Sequence, residues 1–202
     1  MLIPPTTLGS VMKVGVPYVL FETRAGRYGV DAYFSMRVER VERRATLIRK
    51  AEDLSPVDER PPLALLETDS LEGYLRALFE TLYALSGESF NKRARHMRRW
   101  NIWRIIGIPT GHQRHIERDE RLAKRNREAL LALSILRKVL GVKGPSELEG
   151  AKIVPLGYAV FELEVKGGEV GDPVYRELFR VDYGAAMALS RLIIEEKKGL
   201  RP

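Results

Sequence analysis

An α+β fold with an antiparallel sheet follows from three observations on this 202-residue chain. Segments of β-type alternation lie near both ends, leucine-rich segments of helical period fill the middle, and glycine- and proline-containing stretches separate them. The expected arrangement is a sheet assembled from N-terminal strands and a C-terminal hairpin, a three-helix segment between them, and a C-terminal helix. Residues 1–202 read as a single domain, with a helical subdomain over 68–141 as the alternative division.

The first strand is predicted over Val14 to Phe21, where β-branched and aromatic residues dominate, and Arg24-Ala25-Gly26-Arg27 is the turn after it. A returning strand is expected from Tyr28 to Glu42, because Phe34, Met36 and Val38 alternate with Ser35, Arg37 and Glu39. Ala45 to Lys50 is a third strand, and the acidic, proline-rich residues 52–62 form a loop. A helix opens at Asp69, with Glu72 three residues on, and Leu71, Leu75, Leu78, Leu82 and Leu85 make its apolar stripe as far as Ser86-Gly87. A second helix runs from after Ser89 to Ile106, and a third from Gln113 to Leu140. The second half of that third helix is apolar nearly all round and is expected to be buried, with Gly141 ending it. Gly157 to Lys166 and Tyr175 to Val181 form the second hairpin, and Asp182 caps a last helix over Ala185 to Lys198.

Composition excludes several classes of chemistry. The chain has no cysteine, so disulfides, thiolate metal sites and thiol nucleophiles are ruled out together. The start lacks a basic region followed by an apolar core, and no apolar run approaches the ~20 residues of a membrane span. An intracellular, cytoplasmic protein without a membrane partner is expected. Charged residues make up 30% of the chain, whereas asparagine occurs at only three positions and glutamine at one, a bias expected of a thermophile.

The charge is concentrated. Residues 92–127 contain twelve of the 34 Lys and Arg against three carboxylates, a net +9, while the remaining 166 residues sum to −2. Residues 92–104 hold six bases and no acid, which a mixed-sign thermophile ion network does not explain. On a helical wheel started at Phe90, Ala94, Met97, Asn101 and Ile105 fall within about 60° of it, whereas Arg98, Arg95, Arg99 and Lys92 spread from roughly 80° to 200°. Trp100 and Trp103 flank that cationic face, where a ring can stack on a base or cover a neighbouring element. The expected partner is therefore nucleic acid, DNA or RNA. Phosphates would be held by Lys92, Arg93, Arg95, Arg98, Arg99, Arg114, Arg118, Arg121, Lys124, Arg125 and Arg127, with Trp100 and Trp103 as stacking rings. Base-reading signatures are absent, so binding should be largely independent of sequence, as in a coat, chromatin-like or ribonucleoprotein-complex component. Further protein subunits or self-association are compatible with the apolar half of the third helix.

Two other readings compete. A metal-dependent nuclease would use Glu162, Glu164 and Lys166 on a strand, with Asp31 as the upstream carboxylate. A scaffold protein would merely solvate the basic helix. His112, His115 and Asp119 have spacing that suits one ion at a helix start, but Arg114 and Arg118 oppose a cation there. No metal site, cofactor or catalytic residue is assigned, and no phosphate-binding glycine loop is present.

Overall fold

The computed structural model describes residues 11–86, 112–166, 169–181 and 188–189, with side chains in the long helix from residue 124 onward. Its strands are β1 (Val11–Thr23), β2 (Gly26–Asp31), β3 (Ile48–Lys50), β4 (Ser55–Val57), β5 (Val154–Lys166) and β6 (Glu169–Val170). They form one antiparallel sheet in the order β3-β2-β1-β5-β4, with β6 also paired to β5. The helices are α1 (Phe34–Arg37), α2 (Val41–Arg44), α3 (Leu71–Ser86), α4 (His112–Leu140), α5 (Pro145–Leu148) and α6 (Pro173–Val181). The expected α+β class and antiparallel sheet are thus present.

Because side chains alternate along a strand, β1 divides its residues between two cores. Val19 and Phe21 join Val30 of β2 and the inner faces of α3 and α4, including Leu71, Leu75, Phe79, Leu82, Leu133 and Leu136. Val14, Val16, Tyr18 and Leu20 face the other way, toward Phe34, Leu54, Tyr175 and Phe179. The helical middle is packed on the sheet through the first of these cores. Register with β5 slips between Leu20 and Phe21, where Leu20 opposes Gly157 and Phe21 opposes Pro155. Leu156 is the extra residue of this bulge, and it is exposed.

Several expected elements differ from those found. The returning strand stops at Asp31 instead of continuing to Glu42, because the Asp31 carboxylate accepts the backbone N–H groups of Tyr33 and Phe34, each at 2.7 Å. That turn starts α1, and the alternation of Phe34, Met36 and Val38 is incidental to it. Likewise Tyr175 to Val181 is helical, not a strand. Pro173 occupies its first turn, and Asp172 Oδ1 accepts from the N–H of Val174 at 2.9 Å and of Tyr175 at 3.2 Å. The hairpin partner of β5 is the short β6. Within the expected loop 52–62, Ser55–Val57 pairs with β5, and its proline suits an edge strand. Of Ala45 to Lys50, only Ile48–Lys50 is a strand, after a 3-10 turn. The second half of α4 is not buried all round: Leu133 and Leu136 are, but Leu131 is 67% exposed and Leu130 40%. The helices expected over 89–106 and most of 185–198 lie outside the described residues. Leu189 is helical and buried in the second core.

Helix α4 is fixed at its C-terminus. Gly141 has φ +67°, and the Val142 N–H reaches back to the Arg137 carbonyl at 3.1 Å, closing a Schellman motif. Thr23, at the end of β1, donates from Oγ1 to the Val139 carbonyl at 2.7 Å. A Cβ on Gly141 would stand 2.8 Å from the Arg24 side chain. Arg24 can swing away, so Gly141→Ala should cost about 1 kcal/mol, mainly from the left-handed backbone. A drop of several degrees in the thermal midpoint is the expected readout, and an unchanged midpoint would contradict it.

Candidate nucleic-acid interface

The basic residues predicted to bind phosphate enter the described fold through α4, whose 29 residues span about 43 Å. Asn126, Ala129, Ala132, Leu133, Leu136, Val139 and Leu140 are buried at spacings of three and four, which fixes the inward side of its C-terminal half. Lys124, Arg125 and Arg127 are exposed just ahead of that anchored half. Arg114, Arg118 and Arg121 belong to the same helix, and with Arg125 they recur at spacings of four, three and four along it. The side chains of those three, and all of Lys92, Arg93, Arg95, Arg98, Arg99, Trp100 and Trp103, lie outside the described residues. The same holds for the side chains of His112, His115 and Asp119.

Where α4 meets α2, charges interlock. Glu42 is buried, and its Oε1 accepts from Arg40 Nε at 3.3 Å and Nη2 at 3.1 Å, with Arg125 Nε at 3.7 Å. Arg40 also pairs with Glu128 of α4. Glu42 Oε2 has no hydrogen-bond partner among the described residues. Burying such a carboxylate is unfavourable unless cations surround it, and two arginines do so here. Arg125 therefore serves the packing of α2 on α4 besides presenting charge. Arg37, Arg40, Arg43 and Arg44 are additional bases on the α1–α2 segment, where sequence reasoning expected a strand as far as Glu42 and a turn at Arg43-Arg44. Arg43 pairs with Glu177 at 2.8 Å, and Arg44 Nε donates to the Val38 carbonyl at 2.9 Å.

The carboxylates considered for a nuclease are not brought together. Glu162 opposes Gly15 on β5, on the sheet face of Val19, whereas Asp31 opposes Tyr18 on the other face. Glu162 pairs with Lys13 at 3.1 Å in solvent, and Glu164 is exposed. Among the described residues no three His, Asp or Glu side chains are grouped to hold a metal ion.

Asp31 belongs instead to a buried polar chain. Tyr175 donates to Asp31 Oδ2 at 2.7 Å, the Tyr18 and Tyr175 hydroxyls are 2.5 Å apart, and Arg49 Nε reaches the Tyr18 hydroxyl at 3.2 Å. Arg49 also pairs with Asp172, and its guanidinium lies 4.1 Å from the Phe161 ring centroid. A guanidinium only donates and a carboxylate only accepts, so both hydroxyl protons point toward Asp31 when it is ionised. Burial pushes the Asp31 carboxyl up to about 6, against the hydrogen bonds from Tyr175 and the backbone, and burial likewise raises both tyrosines. Asp31, Tyr18 and Tyr175 are buried, and this chain of groups joins β1, β2 and α6. Among the described residues no helix is long and apolar enough to cross a membrane. Comparison with family models, with curated proteins and with solved structures gives no match.

Proposed function

We propose that this chain is a nucleic-acid-binding protein of a thermophile that holds the phosphate backbone largely without regard to base sequence. A coat, chromatin-like or ribonucleoprotein-complex component would use such binding. The observation that carries the reading is the charge of residues 92–127: +9, with six bases and no carboxylate over 92–104. Outside that stretch several bases are paired with acids, as in Lys13–Glu162, Arg24–Glu147, Arg27–Glu22 and Arg60–Glu67. Surplus cations confined to one stretch, interleaved with two tryptophans, suit a polyanion with stackable bases better than they suit a solvated surface.

The test is a fluorescence anisotropy titration against single-stranded DNA, duplex DNA and RNA over a range of salt concentrations. Affinity should fall linearly with salt on a double-logarithmic plot. Changing Arg95, Arg98 and Arg99 together to Ala should reduce the slope by about 2–3, the equivalent of three phosphate contacts. A flat salt response in the parent, or an unchanged slope in the triple variant, would remove the basis of the assignment.

A further inference from the structure

The outward side of α4's anchored half is a seam of two exposed leucines set among cations. Lys124, Arg127, Leu131, Ser134 and Lys138 recur at spacings of three, four, three and four, and all five are exposed. This spacing keeps the five on one side of the helix, and Leu131 is the apolar residue among them. At its centre Leu131 is 67% exposed, with Leu130 beside it at 40%. The Ser134 hydroxyl is satisfied by the Leu131 carbonyl at 2.7 Å and presents no unmet polar demand. From Lys124 to Lys138 the seam runs about 21 Å, four turns of helix.

Its charge is one-sided. Between residues 121 and 146 the chain has a single carboxylate, Glu128, and Glu128 is turned to Arg40. Lys124, Arg127 and Lys138 have no carboxylate partner among the described residues. A second copy of the chain is a poor occupant. Antiparallel pairing centred on Leu131 sets Lys124 against Lys138, and parallel pairing sets each base against itself, so both arrangements oppose like charges. Nucleic acid would match the cations but not the two leucines, since its interfaces are polar. An apolar centre with a charged rim is the anatomy of a protein contact.

We propose that this face of α4 docks a partner protein through an amphipathic helix that has an apolar centre and carboxylates toward both ends. The inference does not rest on the nucleic-acid reading, and it gives Lys124 and Arg127 to carboxylates of the partner instead of to phosphates. Leucines of the partner would pack on Leu130 and Leu131, and its Asp or Glu residues would meet Lys124 and Arg127 at one end and Lys138 at the other.

Two synthetic helical peptides of about three heptads test it, both with leucine at the a and d positions, one with glutamate and one with lysine at e and g. The full chain should bind the glutamate peptide, more weakly as salt is raised, and should not bind the lysine peptide. Leu131→Gln and Lys138→Gln should each weaken the glutamate peptide by at least about tenfold. Both positions are exposed, so far-UV circular dichroism and the thermal midpoint should match the parent. Absence of binding, equal binding of the two peptides, or variants that bind like the parent would overturn the proposal. Self-association of the parent that is lost in Leu131→Gln would overturn it in favour of a second copy. An oligonucleotide affinity that falls in Leu131→Gln would overturn it in favour of nucleic acid.

Discussion

Tyr175→Phe is expected to destabilise the protein by about 3 kcal/mol at pH 8, because the lost hydroxyl serves both as donor to Asp31 and as acceptor for Tyr18. Asp31 Oδ2 would lose the one side-chain donor it has among the described residues, and the Tyr18 hydroxyl would lose its acceptor. The loss should shrink at pH 5. Asp31 is held at about 6 against its ordinary 3.8, so the folded state binds this proton more tightly than the unfolded chain does. Its contribution to stability is fully present below the ordinary value and is lost as pH rises through about 6, and the span corresponds to about 3 kcal/mol. Below that pH the carboxyl is neutral, and the missing hydroxyl costs less. Asp31→Asn should correspondingly flatten the stability profile between about pH 4 and pH 6. Urea unfolding of the parent and both variants at several pH values measures all of this. A Tyr175→Phe penalty that is the same at pH 5 and pH 8 would show that the hydrogen bond does not depend on the ionised carboxylate.

Leu133→Ala should cost about 2–5 kcal/mol, whereas Leu131→Ala, two residues along the same helix, should stay within about 0.5 kcal/mol. Leu133 is fully buried between α4, α3 and the sheet, and truncation leaves a cavity that the flanking Phe79 and Leu136 cannot fill without leaving their own contacts. Leu131 faces water. Denaturant midpoints of the two variants separate the inward from the outward side of α4. Equal penalties would mean that the helix is rotated from the orientation described.

The long elements were legible because their periodicity extends over many residues. The β-branched and aromatic residues of Val14 to Phe21 and the turn at Gly26 mark β1 and β2, and the leucine spacing from Leu71 to Leu82 marks α3. Short helices were misread where an aspartate carboxylate decides the local geometry. Asp31 and Asp172 each divert the chain by capping the next backbone N–H groups, and apolar alternation over four to nine residues cannot reveal that. Asp172-Pro173 was the available signal for α6, since proline belongs in a first turn. Strand β4 has three residues, one of them proline, and exists only through pairing with β5. The buried chain of Asp31, Tyr18, Tyr175 and Arg49 joins residues up to 157 apart in sequence, so no local pattern foretells it. At the candidate interface, the bases of α4 were legible as a charged run. The bases from Arg37 to Arg44 were not, because a strand ending at Glu42 and a turn at Arg43-Arg44 do not gather them on one short helical segment.

Strand β1 carries a burden of timing. Its hairpin partner β2 follows after a two-residue turn, but its other neighbour, β5, pairs Val11 with Lys166 and Glu22 with Val154. During synthesis at about 5–20 residues per second, the nascent strand must wait on the order of ten seconds for the segment that completes its pairing. Through that interval Val14, Val16, Val19 and Phe21 have neither core closed over them, since α4 and α6 also emerge later. Because β1 completes its pairing only across so large a sequence separation, slow folding with a window of exposure to aggregation is expected. A chaperone that shields β1 and β2 would act where this protein is most vulnerable, well before α4 leaves the ribosome.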